Sequence, residues 1–161
     1  MRLRGLYRYL GICVAVAFAW GCVATDVSAS VVTSQQELDP SIEAFLHLYV
    51  QAVKERDVEA VANMHKDPVT WTDFTGSFIM SRAELKVMLE QMYFYITEIY
   101  DVYVKDVTAT LEGDIAVVRF TGGQDQYNSA LQQRVATEWS VEWTLERIDG
   151  RWYIAKSSSG M

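Results

Sequence analysis

From Val135 to Glu146 the chain alternates with a period of two. Val135, Thr137, Trp139, Val141, Trp143 and Leu145 fall on one side, and Ala136, Glu138, Ser140, Glu142, Thr144 and Glu146 on the other. That is the period of a half-buried strand, with the glutamates marking the wet face. Asp149-Gly150 follows, the dipeptide that suits a two-residue hairpin loop because both central positions take positive φ. Such a loop pairs Arg147 with Trp152, Leu145 with Ile154 and Trp143 with Lys156. Directly opposed residues share a face, so Trp152, Ile154, Lys156 and Ser158 are expected beside Trp139 and Trp143. A chain ending this way must build a sheet with one apolar face, and something must cover that face.

The cover is written upstream. Asp39-Pro40 supplies a capping acceptor and a proline at the first helical position, and Ile42, Phe45, Leu46, Tyr49 and Val53 follow on one helical stripe. Asp57 caps a shorter helix carrying Val58, Val61, Ala62 and Met64, expected to stop at Asp67-Pro68. Ser81-Arg82-Ala83-Glu84 is a capping box, and Leu85, Met88, Leu89, Met92, Tyr93 and Ile96 repeat the stripe. Val102 to Leu111 and Ile115 to Thr121 are β-rich and flank the turn Glu112-Gly113-Asp114, which predicts a hairpin. A short strand is expected to carry Val69, Trp71 and Asp73.

The first residues differ from the rest. Arg2, Arg4 and Arg8 precede an apolar run from Leu10 to Trp20, and no acid occurs before Asp26. This is the charge pattern of a signal peptide, and the run is shorter than the roughly 18 to 20 residues of a membrane span. Two processing routes are open. Gly21-Cys22 offers a lipidation site at Cys22, preceded by the poorly matching Ala19-Trp20, whereas Val27-Ser28-Ala29 offers ordinary cleavage, which we favour. Residues 1–29 are thus read as a signal peptide, or a lipoprotein signal ending at 21, with 30–38 a flexible lead-in and 39–159 the domain. Export to the periplasm or medium is implied, with membrane association only through the signal or a lipid anchor.

Cys13 and Cys22 leave the domain no internal disulfide. Without the three arginines the balance is 11 basic against 21 acidic side chains, a surface that repels phosphate backbones and argues against nucleic-acid binding.

The order of these elements, closing on Asp149-Gly150-Arg151-Trp152, resembles the nuclear transport factor 2-like superfamily and, more narrowly, its SnoaL-like branch, over about Asp39 to Ser159. The resemblance implies an α+β, cystatin-like cone. Three N-terminal helices would pack on a strongly curved antiparallel or mixed sheet whose open end holds a small hydrophobic or amphipathic ligand. It also implies a homodimer as the expected assembly. Members include ketosteroid isomerases, polyketide cyclases, dehydratases and epoxide hydrolases as well as noncatalytic domains, so fold does not choose among them. Relatives often carry histidine near Ser158, and this chain does not.

Asp73 shares a strand face with Val69 and Trp71, and burial there would suit it to move a proton. The plainer reading, which we prefer, is that it starts the turn at Thr75-Gly76. Lys156 is its candidate partner or an anchor for an anionic group. Trp71, Tyr93, Tyr103, Arg119, Trp139, Trp143 and Ser158 are expected to line the pocket, although each tyrosine reads first as core. Arg119 shares a face with Ile115 and Val117, which could point inward or outward. His47 reads as surface, and His65 as a partly charged residue at a helix C-terminus. No metal-ligand spacing occurs, and no cofactor is expected.

Two functions follow. One is an exported small-molecule-binding or association domain with an aromatic-lined pocket. The other is an isomerase, cyclase or dehydratase using Asp73 as general base on an apolar substrate.

Overall fold

The structure, a computed structural model, describes residues 38–160. The expected signal peptide, with Cys22, falls outside these residues. Helix α1 (Pro40–Lys54) starts where Asp39 Oδ1 accepts from the Ser41 amide at 2.8 Å. Helix α2 (Val58–Asn63) is capped by Asp57, and α3 (Arg82–Tyr95) by the reciprocal Ser81/Glu84 box. The Arg56 guanidinium, just after α1, donates to the carbonyls of Tyr93 in the last turn of α3 and of Thr97 just beyond it.

The strands are β1 (His65–Asp73), β2 (Gly76–Met80), β3 (Ile96–Glu112), β4 (Ile115–Asn128), β5 (Gln133–Ile148) and β6 (Arg151–Gly160). They form one six-stranded sheet in the order β2-β1-β6-β5-β4-β3. Only β1 and β6 run parallel, so the sheet is mixed, as expected.

Turn chemistry follows the residues. Asp149 and Gly150 take φ of 51° and 78°, the left-handed pair that a type I′ turn requires. Asp106, at φ 56°, sits where the pairing of β3 with β4 shifts between Lys105 and Thr108. A bulge of that kind bends a strand and strengthens its twist, which helps a sheet wrap a helix.

The apolar face of the sheet is buried against α1 and α3. Ile42, Leu85, Val118, Leu145 and Ile154 are all sealed from solvent. Trp143 is the hub. Its ring centroid lies 4.7 Å from Phe120 and from Tyr49, and 6.3 Å from Phe45, each contact edge-to-face. Its indole N–H donates to Ser157 Oγ at 3.2 Å. At the hairpin end, Trp152 Nε1 donates to Ser41 Oγ at 2.9 Å and ties β6 to the start of α1.

Three expectations need correction. The final hairpin keeps Arg147 opposite Trp152 and Leu145 opposite Ile154, but Trp143 faces Ser157, not Lys156. Ala155 is an extra, buried residue in β6, and beyond it the faces exchange. Lys156 therefore stands exposed opposite Thr144, and Ser158 opposite Glu142, both on the outer face. Second, α2 ends at Asn63 and not at Asp67-Pro68, so His65 opens β1 and is 1% exposed. Third, β4 runs through Gly122-Gly123 to Asn128, well past Thr121.

Candidate functional site: an open cup on the inner face of the sheet

Exposure changes steadily along the inner face of β5. Leu145 is 0% exposed, Trp143 3% and Val141 7%, and the next three inward residues, Trp139, Thr137 and Val135, are half-exposed. On β4 the buried stretch runs further, with Val118, Phe120, Gly122 and Gln124 all buried and Gln126 half-exposed, while on β3 Val104 and Val102 are half-exposed opposite Gly122 and Gln124. Inward-facing residues that progressively meet solvent describe a cup: a filled base at the Asp149-Gly150 end and an opening at the other. Trp71 and Phe78 are paired across β1 and β2 and only partly buried, and they face the same interior.

Gly122 shapes this wall. A side chain there would begin 3.2 Å from Trp139 Nε1, so the indole comes up against the bare backbone. Gly123 does the same on the outer face, where any Cβ would collide with the Tyr103 ring. Next along the wall, Gln124 is only 7% exposed, and its Nε2 donates to Gln126 Oε1.

Tyr49 packs beneath the cup, its ring centroid 4.7 Å from Trp143 and 6.3 Å from His65. Burial drives its phenol well above the ordinary tyrosine range, with Tyr93 nearby adding to the effect, yet part of the residue is still accessible. Tyr93 is packed more tightly. Its hydroxyl is sealed without a hydrogen-bond partner, and burial pushes its pKa up to about 12 against the opposing pull of Arg56. His65 donates from Nδ1 to the Val61 carbonyl at 2.8 Å and leaves Nε2 sealed and unpartnered. Burial is the main cause that holds its pKa down at about 4, so the imidazole is neutral, not the partly charged group expected from a helix end. His47 is exposed on α1, 3.8 Å from Glu43, as expected of a surface residue.

The residues singled out from sequence divide between the two faces. Trp71, Trp139 and Trp143 meet the interior, and Tyr93 packs within it. Asp73 follows Trp71 at the end of β1, where its Oδ1 accepts from the Thr75 amide at 2.7 Å and from the Thr75 hydroxyl at 2.5 Å. The carboxylate thus shapes the β1–β2 turn. Tyr103 lies on the outer face, where its hydroxyl donates to Glu138, which Lys105 also engages at 2.7 Å. Hydrogen bonding to that carboxylate raises the Tyr103 pKa. Arg119 is outward too, paired with Glu142 at 2.7 Å. With Lys156 also outward, the structure does not bring Asp73 and Lys156 onto one face.

The outer face has an opening of its own. An open groove of about 390 Å³ crosses β3 to β6 and is lined by Asp106, Arg119, Thr121, Ser140, Glu142 and Ser158. Phe120 and Val141 also border it, but both are buried residues of the core, and the side chains that face the groove from outside are mainly hydroxyls and the Arg119–Glu142 pair. Ligand sites more often bury apolar surface around a few convergent polar groups.

The sequence reading ended this strand at Thr121 and so passed over Gly122, Gln124 and Gln126. The signal was the continued alternation Ala116, Val118, Phe120, Gly122, Gln124, Gln126. Tyr49 was seen only as part of a helical stripe.

No protein-family model matches this chain, and no curated protein matches it significantly. Solved structures do. A candidate scytalone dehydratase from Novosphingobium aromaticivorans superposes with a TM-score of 0.67 at 13% identity, covering 74% of this chain and 80% of that one. A ketosteroid isomerase-like protein from Erwinia carotovora atroseptica gives 0.62 at 19% identity, covering 74% and 92%. An NTF2-like protein with a cystatin-like fold from Novosphingobium aromaticivorans gives 0.62 at 16% identity, covering 74% and 79%. Likeness at such low identity establishes architecture alone, and with the mixed sheet packed on α1 and α3 it gives this chain the cystatin-like fold that these structures share.

Proposed function

We propose that this chain is an exported binding domain that holds a small, largely apolar molecule in the cup between β3–β6 and the helices. The rising exposure of inward residues from Leu145 to Val135 carries the reading, because a domain that only needed a core would close that face. The arginine-led apolar segment at the start of the sequence supports export. The test is a titration with Nile red, a neutral dye that brightens in apolar surroundings. Gly122→Val keeps a backbone angle that side chains tolerate but drives Trp139 into the cup. It should weaken dye binding at least about tenfold, roughly 1.4 kcal/mol. Unchanged affinity in that variant, with the fold intact, would place the dye elsewhere and remove the proposal's basis.

A second reading, proton-transfer catalysis of the isomerase or dehydratase kind, is favoured by Asp73 sharing the inward face of β1 with Trp71 and by the names of two fold neighbours. It predicts that the protein speeds deuterium uptake from heavy water into an enolisable ketone such as 2-tetralone. Asp73→Asn should remove about 10²-fold or more of that rate, the scale of general-base catalysis. A wild-type rate equal to buffer would eliminate this reading and leave the binding role standing.

A further inference from the structure

The wall of the cup carries one polar feature that packing does not explain. Gln124 is 7% exposed, and the inward-facing side chains around it on β3, β4 and β5 are Val102, Val104, Thr137 and Trp139. An amide in such a place costs stability unless it is hydrogen-bonded. Its amide nitrogen bonds Gln126 Oε1, and that is its one side-chain bond among the described residues. Its remaining groups are not among the sealed, unpartnered atoms of the interior, so they reach accessible space. The residue as a whole is nearly withdrawn from solvent and sits on the inner face, so that space is the cup.

The pair therefore leaves two groups free on neighbouring, mutually bonded side chains of one strand face. With Gln124 Nε2 donating to Gln126 Oε1, Gln124 Oε1 is left as an acceptor and Gln126 Nε2 as a donor. Reversing both amides exchanges the residues but leaves the same set, one acceptor and one donor. The matching edge is a neutral donor beside an acceptor, as in a cis-amide. A charged ligand finds no counter-ion on this wall, since Asp125 pairs with Arg134, and Glu138 with Lys105, on the opposite face. Trp139, diagonal to Gln124 and pressed against Gly122, offers a flat indole surface to a planar ring.

We propose that the cup selects planar, uncharged molecules bearing a cis-amide edge, of the aromatic lactam class, with Gln124 and Gln126 reading that edge and Trp139 stacking on the ring. This rests on the binding role proposed above. The probes are naphthalene, carbostyril, which is a bicyclic aromatic lactam, and N-methylcarbostyril, which lacks the N–H, each measured by displacement of Nile red. Two added hydrogen bonds predict that carbostyril binds about 10- to 100-fold tighter than either analogue. Gln124→Leu should abolish that preference and leave naphthalene binding within about threefold. Gln126→Met serves the same purpose should the first variant not fold. Equal displacement by all three probes would overturn the lactam inference while sparing the cup. No displacement by any of them would overturn both.

Discussion

Replacing Trp143 by alanine is expected to destabilise the domain by about 3–5 kcal/mol, the range for truncating a large buried aromatic. The ring is 3% exposed and meets Phe45 and Tyr49 from α1 and Phe120 from β4. No small shift of one element can refill the hole, because its walls belong to both the helix and the sheet. Trp143→Phe keeps most of the packing but loses the bond to Ser157, and should cost about 1–2 kcal/mol. Urea midpoints at constant m-value give both numbers. A loss under about 1 kcal/mol for the alanine variant would mean that Trp143 does not join α1 to the sheet.

The second large effect depends on pH. His65 is held neutral at about 4, against an ordinary value of 6.5, chiefly by burial. Between those values the unfolded chain binds a proton that the folded one refuses. Stability is therefore full above about pH 6.5 and falls as pH drops toward 4, by about 3 kcal/mol in all. Carboxylates contribute their own acid dependence, so the comparison is with His65→Gln, which shares those carboxylates and can still donate to Val61. The wild-type advantage over His65→Gln should shrink by about 3 kcal/mol between pH 7 and pH 4. A pH-independent difference between the two proteins would show that His65 is not buried neutral.

Much of the architecture was legible because local chemistry and global fold agree in it. The β5 alternation, the Asp149-Gly150 turn, the Asp39 cap and the Ser81/Glu84 box each report a constraint contained within a few residues. What misled was the assumption that period two runs uninterrupted. One extra residue at Ala155 turned Lys156 and Ser158 outward, and nothing local announces such a bulge, since the curvature it accommodates is a property of the whole sheet. The strand expected to end at Thr121 instead continues through Gly122-Gly123, where the Trp139 and Tyr103 rings occupy the space that side chains would take. His65 was misassigned because α2 is only six residues long, so one turn decides whether the next side chain caps a helix or enters the core. The candidate site was correspondingly half visible: Trp71, Trp139 and Trp143 came from alternation, whereas Tyr49, Gln124 and Gln126 needed the register.

The central claim is that the inner face of the sheet, and not its outer groove, receives the ligand. Amide and indole N–H resonances followed by NMR during a naphthalene titration test it most directly. The cup predicts the largest shifts at Gly122, Gln124 and the indole N–H groups of Trp71 and Trp139. Shifts concentrated at Arg119, Ser140 and Ser158 would contradict it.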